Sequence, residues 1–344
     1  MLVKAELNRY NRQMILPELG LKGQEKLKAA SILVIGAGGL GCPILQYLAA
    51  AGIGTIGIVD DDVVELSNLH RQILYHDNDI GQPKANVAGS KLALLNPNVS
   101  FTAYYERFTP DRAIAICQKY DLVMDCSDNF TTRYLVNDTC VSLGKTLIFG
   151  SILQFEGQVA VFNHNGGPSY RDLYPASPRE DINCVEGGVI GILPGIIGLY
   201  MANEAIKLIC NIGETLAGKL MTINALNNTV LVFKIAQEKQ AETMKSEAAF
   251  RETNEIDKTI LDEWLSESPD EIFLIDVRED YEHEENNIGG VNISLYELGS
   301  SLNAIPKDKK VVCYCQTGQR SKMAVQILGG LYEGAVYSLK EGLS

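Results

Sequence analysis

The chain has 344 residues, 46% of them hydrophobic, which indicates about two folded domains rather than a disordered or fibrous protein. Its formal net charge of −13 argues against nucleic-acid binding as its main role. The acidity is concentrated after residue 253, where 8 basic and 17 acidic residues predict a second region of different character.

The first predicted element is a βαβ unit. An apolar run at 31–36 is typical of a strand buried on both faces, a helix follows and ends at Gly52, and a second buried strand ends at Asp60. The uncharged stretch 31–59 is long enough to span a membrane, but its seven glycines divide it into strand, turn and helix. We therefore expect no membrane span here, and the first residues of the chain show no secretory signal.

Further elements extend this pattern. They are strands at 121–128 and 146–151, an antiparallel strand at 153–162, a helix at 194–209, and strands at 219–225 and 228–235. In the second region they are strands at 272–279 and 309–315 and a helix at 321–332. The predicted fold is α/β, with a Rossmann-like, mainly parallel sheet and antiparallel additions over 1–235, a linker over 236–254, and a small α/β domain over 255–344.

A glycine-rich turn stands between the first strand and its helix. Gly36, Gly38 and Gly41 satisfy the pattern G-x-G-x-x-G, and Gly39 lies among them. Such glycines allow backbone N–H groups to approach phosphates closely at the start of a helix. Asp60 ends the next strand, where a carboxylate can accept hydrogen bonds from ribose hydroxyls. The pattern predicts a nucleotide site, but it does not choose between NAD and ATP.

Polar and cationic residues that follow Asp60 favour ATP. They are Asn68, Arg71, Gln72, Lys84, Asp128 and Asn129. Attack on an α-phosphate needs cations that neutralise the phosphate oxygens and a carboxylate for Mg²⁺, which Asp128 can supply. An NAD-dependent oxidoreductase would leave these cations unexplained, and the G-x-x-x-x-G-K-[ST] motif of a P-loop enzyme does not occur.

Six motifs in order resemble the MoeB/ThiF adenylyltransferases, relatives of the ubiquitin-activating enzymes, over about residues 5–235. They are RYNRQ, GAGGLGCP, VDDDVVELSNLHRQ, GQPK, DCSDN and NCVEGGVIGILPG. The resemblance implies that ATP and magnesium are bound by Gly39, Asp60, Asn68, Arg71, Gln72, Lys84, Asp128 and Asn129. It also implies that Arg12 reaches into the neighbouring subunit's site as an arginine finger, so that a homodimer is the working unit.

Two features of this resemblance concern cysteines. Many members carry two C-x-x-C pairs that bind a structural zinc ion, whereas the matching segment 169–173 reads SYRDL here. Since four-coordinate zinc needs about four such ligands, we expect no zinc site. Cys184 stands where some members form a covalent sulfur link with the carrier or its downstream product, and a structural cysteine is the alternative.

The second region resembles a rhodanese, a sulfurtransferase domain, in IDVRE at 275–279 and CQTGQRS at 315–321. A six-residue loop before a helix that starts near Ser321 would surround one sulfur atom with backbone N–H groups. The helix dipole and Arg320 would add positive potential. We therefore expect Cys315 to carry a persulfide.

Cys313 lies two residues earlier on the predicted strand and is expected to be buried before the loop. Two departures from the rhodanese pattern keep an inactive docking domain open as an alternative. The usual Gly-His-Ile segment reads Asn286-Asn287-Ile288, and the chain stops at KEGLS, short of the usual final helix.

Together the two regions predict an ATP-dependent enzyme that adenylates the C-terminal glycine of a ubiquitin-like sulfur carrier ending in Gly-Gly. A persulfide on Cys315, loaded by a persulfide sulfur donor, would then convert the acyl-adenylate into a thiocarboxylate. The carrier could serve molybdopterin or thiamine biosynthesis, and the alternative function is a docking module for ubiquitin-like proteins. Eight scattered cysteines without a C-x-x-C pair predict reduced thiols in a cytoplasm.

Overall fold

The computed structural model describes residues 2–175, 188–235, 254–295, 297–298, 301–329, 332 and 334–343. They group into two compact units, one before and one after residue 240. All of the predicted linker except Asn254 lies outside the described residues. Each unit is described separately.

The first unit contains an eight-stranded sheet in the order β3-β2-β1-β4-β5-β6-β7-β8. The strands from β3 to β5 in this order are parallel, and β5 to β8 pair antiparallel. The bounds are β1 Ser31–Ile35, β2 Thr55–Val59, β3 Ser100–Tyr104, β4 Leu122–Asp125, β5 Thr146–Leu153, β6 Glu156–Phe162, β7 Lys219–Asn224 and β8 Thr229–Lys234. This arrangement confirms the Rossmann-like, mainly parallel sheet with antiparallel additions.

Nine α-helices are described in this unit. They are α1 Lys4–Arg9, α2 Asn11–Met14, α3 Gly20–Ala29, α4 Gly41–Ala51, α5 Lys84–Leu95, α6 Pro110–Cys117, α7 Phe130–Leu143, α8 Tyr170–Leu173 and α9 Leu193–Cys210. Short 3-10 helices cover Leu66–Asn68, Asp77–Asp79 and His164–Gly166. The helix α4 ends as predicted at Gly52, which adopts the left-handed conformation that a glycine reaches without steric cost.

The central strands form the core of the sheet. Ile32, Leu33 and Val34 of β1 are all fully buried, although their side chains point alternately to opposite faces. Both faces must therefore be covered, as expected for parallel strands between layers of helices. The apolar stretch 31–59 thus folds into β1, α4 and β2.

One helix among the described residues, α9, is long and apolar enough to cross a membrane by length and composition. Half of it is buried inside the first unit, where it packs against α4, β5 and β6. Its proline, Pro194, lies in the first turn, where the missing N–H group costs no intrahelical hydrogen bond.

The second unit contains a five-stranded sheet in the order β11-β10-β12-β13-β9, with parallel pairing throughout the described strands. The bounds are β9 Glu255–Ile256, β10 Ile272–Asp276, β11 Val291–Asn292, β12 Lys310–Tyr314 and β13 Val336–Leu339. The helices are α10 Lys258–Glu267, α11 Asp280–Glu285 and α12 Gln319–Gly329, with 3-10 helices at Pro269–Glu271 and Leu302–Ala304. The two strands and the helix predicted from sequence are present.

Several element boundaries in this unit differ from the prediction, and β10 for example ends at Asp276 rather than at residue 279. The helix α12 begins at Gln319, two residues before Ser321, so four residues rather than six separate it from β12. The intervening segment, Cys315–Gly318, is called the cysteine loop below. Arg320 consequently lies in the first helical turn and not in the loop.

Candidate functional sites

The first candidate site is the glycine turn, residues 36–41, between β1 and α4. Gly36 has a φ angle of +96°, and a Cβ atom there would lie 2.7 Å from the carbonyl oxygen of Cys126. A Cβ atom on Gly41 would overlap the carbonyl oxygen of Gly36. Only glycine fits these two positions, and the turn leads into the N-terminus of an 11-residue helix. The glycines thus stand where the sequence placed them, at the start of a helix, and phosphate binding at this turn stays a prediction.

Asp60 supports the glycine turn directly. Its Oδ2 atom accepts a hydrogen bond from the backbone N–H of Ala37 at 2.7 Å, and its Oδ1 atom accepts one from Asp62 at 2.9 Å. Burial raises the pKa of the Asp60 carboxyl, although both hydrogen bonds oppose that effect. Each carboxylate oxygen has a second lone pair, which leaves Asp60 able to accept a ribose hydroxyl.

Lys84 is connected to the glycine turn through Asp62 and Tyr75, two residues that the sequence did not single out. Its side chain is only 6% exposed, and its Nζ atom donates to Asp62 Oδ2 at 2.9 Å. Its backbone N–H donates to the carbonyl oxygen of Asp62. The Tyr75 hydroxyl donates to the carbonyl oxygen of Ala37 at 2.8 Å and lies 3.3 Å from that of Lys84. The lysine, Asp62, Tyr75 and the glycine turn therefore form one hydrogen-bonded network.

The segment after the first 3-10 helix brings Gln72 beside the glycine turn. Its Oε1 atom is buried and has no hydrogen-bond partner among the described residues, and its Nε2 atom lies 3.5 Å from where a Cβ of Gly38 would stand. A buried amide oxygen without a donor is costly, so it fits a ligand that supplies an N–H or O–H group. Arg71 is partly exposed and donates to the carbonyl oxygen of Ser67 at 3.2 Å, and the carbonyl oxygen of Asn68 accepts the N–H groups of both Arg71 and Gln72.

The turn between β4 and α7 presents Asp128. The buried Asp125 accepts hydrogen bonds from the backbone N–H and the hydroxyl of Ser127 at 2.9 and 2.6 Å. Arg133 donates to the carbonyl oxygen of Ser127, and Asn129 caps α7 by accepting the N–H of Thr132. The turn is thus fixed from inside the protein while Asp128 is exposed to solvent.

Asp128 offers a single exposed carboxylate at this turn. Among the described residues, no group of three His, Cys, Asp or Glu side chains could bind a metal ion by itself. Magnesium commonly takes one or two carboxylates and completes its shell with water and substrate phosphates. Asp128 fits such a shared site.

The other predicted residues of the first unit are more dispersed. Arg12 is exposed on α2, and Cys184 lies outside the described residues. In the segment without the C-x-x-C pair, the Tyr170 ring is 1% exposed and packs against Tyr134, Phe149, Phe162 and Tyr174. Arg171 beside it forms a two-point ion pair with Asp138. Aromatic packing and this ion pair therefore fix the segment to α7 and β5.

The second candidate site is the cysteine loop. Cys315 follows β12, is 1% exposed, and its Sγ atom lies 3.8 Å from the Ser321 hydroxyl. Gly318 has a φ angle of +80°, and a Cβ atom there would overlap the carbonyl oxygen of Lys340. Leu343 donates its backbone N–H to the carbonyl oxygen of Cys315 at 3.0 Å. The loop is therefore closed tightly by the backbone of residues 340–343.

Cys313 is fully buried within β12, as expected. Burial raises the pKa of its thiol, which keeps the sulfur protonated and weakly nucleophilic. Of the two cysteines, only Cys315 lies at the start of the loop. Cys315 as the reactive sulfur stays a prediction.

Two ion pairs lie beside the loop, one at the end of β10 and one between α11 and α12. Arg278 pairs with Asp276 at 2.7 Å, both nearly fully buried, and its Nη1 atom donates to Gln316 of the loop at 3.1 Å. Arg320, expected to add positive potential, donates through both terminal nitrogens to Glu282 at 2.6 and 2.7 Å. Burial alone would raise the pKa of Glu282, but Arg320, the Glu279 N–H group and Arg278 together outweigh it and hold that pKa below its usual value. Asp276 and Glu282 were not identified from the sequence.

Sequence comparisons match both units. The ThiF family profile matches residues 10–245, and the rhodanese-like domain profile matches residues 258–344. The chain is 42% identical to the probable adenylyltransferase/sulfurtransferase MoeZ of Mycobacterium tuberculosis, over 94% of this chain and 88% of that protein. It is 55% identical to the sulfur carrier protein adenylyltransferase of Thermus thermophilus, over 65% of this chain and 85% of that protein.

A further relative is the probable molybdopterin-synthase adenylyltransferase of Porphyra purpurea, 40% identical over 98% of this chain and 92% of that protein. Among solved structures, Escherichia coli MccB crystallised with ATP superposes with a TM-score of 0.59. It covers 68% of this chain and 73% of its own, at 22% identity. A likeness at this identity shows a shared fold.

Proposed function

Because this chain belongs to the ThiF family and continues into a rhodanese-like domain, we propose that it is an adenylyltransferase and sulfurtransferase acting on a ubiquitin-like sulfur carrier protein that ends in Gly-Gly. The observation that carries the proposal is the buried Lys84, fixed through Asp62 to the strand end that also supports the glycine turn. This arrangement supports the proposal because it brings N–H donors and a cation together at the turn where we propose that the phosphates bind.

In the first step, a carboxylate oxygen of the carrier's C-terminal glycine attacks the α-phosphorus of ATP. The bond between the α-phosphorus and its bridging oxygen breaks, pyrophosphate leaves, and an acyl-adenylate forms. Lys84, Arg71 and the N–H groups of the glycine turn stabilise the developing charge on the phosphate oxygens, and Asp60 orients the ribose. Asn68, Gln72 and Asn129 complete the proposed nucleotide site. Asp128 would hold a magnesium ion, which supplies further charge neutralisation when bound.

In the second step, the Cys315 thiolate attacks the outer sulfur of a persulfide donor, whose S–S bond breaks as the donor thiolate leaves. The resulting Cys315 persulfide attacks the acyl carbon and displaces AMP, which gives an acyl disulfide. An external thiol attacks the Cys315 sulfur, the S–S bond breaks, and the thiocarboxylate leaves. A second equivalent of that thiol attacks the mixed disulfide on Cys315, which restores the Cys315 thiol and joins the two external thiols in a disulfide. For Cys184 the family resemblance offers a covalent sulfur link with the carrier or its downstream product.

The relatives' names support molybdenum cofactor biosynthesis as the pathway of the carrier, and a thiamine carrier is the other candidate. The proposed persulfide chemistry needs free thiols, and a reducing cytoplasm is therefore the location that we propose. A docking module with an inactive rhodanese domain is not favoured, since relatives over nearly the whole chain are named as enzymes. We also propose a homodimer, in which Arg12 of one protomer completes the site of the other.

Carrier-dependent exchange of radioactive pyrophosphate into ATP tests the adenylation step. Lys84→Ala and Asp128→Ala should each lower the exchange rate by about 10²–10³-fold, because each removes one electrostatic stabiliser of the reacting phosphates. Lys22→Ala and Asp77→Asn change exposed charges elsewhere in the same unit and should exchange at the wild-type rate. Wild-type exchange in both site variants would contradict the proposal.

Subunit mixing tests the role of Arg12. The Arg12→Ala variant should be inactive alone and regain part of its activity when it forms heterodimers with Lys84→Ala subunits. One site of such a heterodimer combines an intact Lys84 with an intact Arg12 from the other chain. Heterodimers demonstrated by tag-based purification that remain inactive would argue against a role in trans.

A further inference from the structure

Charges near a nucleophilic sulfur affect how readily anionic sulfur donors approach it. A persulfide donor such as cysteine persulfide brings at most one net negative charge to the loop, whereas thiosulfate brings two. Uncompensated cations would therefore favour thiosulfate, and compensated cations would remove that advantage. The effect on the donor therefore depends on whether each cation near the loop already forms an ion pair within the protein.

Arg320 is the cation closest in sequence to the loop, in the first turn of α12. Both of its terminal nitrogens donate to Glu282, one to each carboxylate oxygen, and both side chains are only 19% exposed. Two-point pairing of this kind fixes the planar guanidinium in one orientation. The positive charge of Arg320 is thus largely cancelled by Glu282 before any donor arrives.

The carboxylate of Glu282 is itself fixed in place. Besides Arg320, its Oε2 atom accepts the backbone N–H of Glu279 at 3.1 Å, at the start of α11. A glutamate three residues into a helix commonly accepts this N–H group. This hydrogen bond holds the carboxylate of Glu282 in one position at the start of α11, so its pairing with Arg320 is fixed from both sides.

The other cations near the loop are either paired with a carboxylate or exposed to solvent. Arg278, which contacts Gln316, is paired with the buried Asp276, and Lys322 on α12 is paired with Glu255 at 3.0 Å. Lys340 also borders the loop through its backbone, but its side chain is exposed and therefore screened by solvent. Glu282 is consequently the residue whose removal would take the carboxylate away from Arg320, the cation that follows the loop in the first turn of α12.

We propose that Glu282 is a specificity-determining residue of the sulfurtransferase domain, because its pairing with Arg320 disfavours dianionic donors such as thiosulfate and favours persulfides of low net charge. This inference rests on the proposed sulfur transfer and adds the determinant of donor choice. In both cases Cys315 attacks the outer sulfur, the donor S–S bond breaks, and the leaving group is sulfite or a thiolate.

The test measures the rate at which the full chain acquires one sulfur on Cys315, by rapid quenching, alkylation and peptide mass spectrometry, with thiosulfate or cysteine persulfide. Wild-type protein should load faster from cysteine persulfide. Glu282→Gln keeps an acceptor for the Glu279 N–H and should raise the loading rate from thiosulfate about tenfold. Its rate with cysteine persulfide should change less than about twofold, and the thiosulfate gain should shrink with added salt.

Matched variants separate charge pairing from general effects. Glu285→Gln removes an exposed charge from the same helix, and Lys340→Gln removes the exposed cation, and neither should raise the thiosulfate rate. Arg320→Gln leaves Glu282 unpaired and should lower the thiosulfate rate below wild type. The double variant Glu282→Gln/Arg320→Gln should return towards the wild-type donor ratio, as expected for two coupled residues.

Intrinsic fluorescence checks folding, since the single tryptophan of the chain, Trp264, belongs to the second unit. A donor ratio in Glu282→Gln equal to that of wild type and Glu285→Gln would overturn the specificity role while sulfur transfer itself stands. A wild-type preference for thiosulfate would overturn it as well. Loading from neither donor would refute the proposed sulfur transfer and the specificity role together.

Discussion

In the first unit the glycine turn follows the parallel strand β1 and opens α4, and in the second unit the cysteine loop follows β12 and opens α12. Both sites thus combine the end of a parallel strand with the start of a helix. They differ in how charge is compensated. The acidic partner of Lys84 is 70% exposed and Asp128 faces solvent, whereas Arg278 and Asp276 are almost completely buried together.

Each site also has a buried carboxylate, and the two carboxylates differ in whether neighbouring cations compensate the effect of burial on the pKa. Burial raises the pKa of Asp125, which underlies the Asp128 turn and has one oxygen without a partner among the described residues. Burial would raise the pKa of Asp276 too, but hydrogen bonds from Arg278 and His283 hold it below its usual value. In our proposal, therefore, one local architecture accommodates a highly charged substrate in the first unit and a single sulfur atom in the second, according to the partners that neighbouring elements supply.

The largest expected effect separates the two sites completely. Cys315→Ser should abolish sulfur transfer while carrier-dependent pyrophosphate exchange stays near the wild-type rate, because serine cannot form a persulfide and its hydroxyl stays protonated near neutral pH. Lys84→Ala should show the reverse pattern, with normal loading of Cys315. Both rates are measured on the same preparations.

Cys313→Ser is the control for the cysteine variant, since that sulfur is buried in β12 away from the loop. Its effect on sulfur transfer should be small. A sulfur adduct of about 32 Da found on Cys313 or Cys184, with Cys315 unmodified, would show that the reactive residue was assigned incorrectly.

The next effect concerns stability of the second unit and its pH dependence. Asp276→Asn leaves Arg278 buried without its counter-charge and should lower the free energy of unfolding by about 3–5 kcal/mol at pH 7. The pKa of Asp276 is lowered in the folded state, so its contribution is present above about pH 4, the unfolded value, and is lost as the pH falls through the lower folded value. The difference between variant and wild type should therefore narrow on acidification.

Urea unfolding followed by Trp264 fluorescence measures this prediction in the full chain. Asp262→Asn, an exposed acidic position on α10, is the matched control and should unfold like wild type. A difference that stays constant from pH 7 to below pH 4 would argue that the ion pair is not the origin of the effect.

The smallest expected effect compares backbone constraints in the two turns. Gly36→Ala and Gly318→Ala each introduce a Cβ atom at a positive φ angle and against a carbonyl oxygen, at a strain of about 1–3 kcal/mol before the contact is counted. Gly36→Ala should lower the rate of pyrophosphate exchange and leave sulfur loading of Cys315 unchanged. Gly318→Ala should lower sulfur loading and leave pyrophosphate exchange unchanged. Gly81→Ala and Gly289→Ala have similar φ angles with open space around the added atom, and they should retain both activities. Equal losses of activity in all four variants would show that the contacts between the added Cβ atoms and the carbonyl oxygens are not the cause.

The sequence by itself determined the elements whose patterns extend over several residues. The apolar runs that became β1, β2 and β4, the helix ended by Gly52, and the glycine turn could all be identified because strand and helix periodicity and glycine spacing are local properties. The strands β9 and β11 could not, since two residues each give no period. The exposed edge strand β3 lacks the apolar run that revealed its neighbours.

Only the tertiary structure decided which charges meet. Lys84 and Asp62 are 22 residues apart, and Arg320 and Glu282 are 38 apart, so no spacing in the sequence connects them. Each pair forms because the fold brings separate elements together, the start of α5 beside the residues after β2 in one pair and the first turns of α11 and α12 in the other. Electrostatic compensation depends on distance and burial in space, and for that reason the donor preference that we propose for the cysteine loop would be a property of the fold and not of the motif.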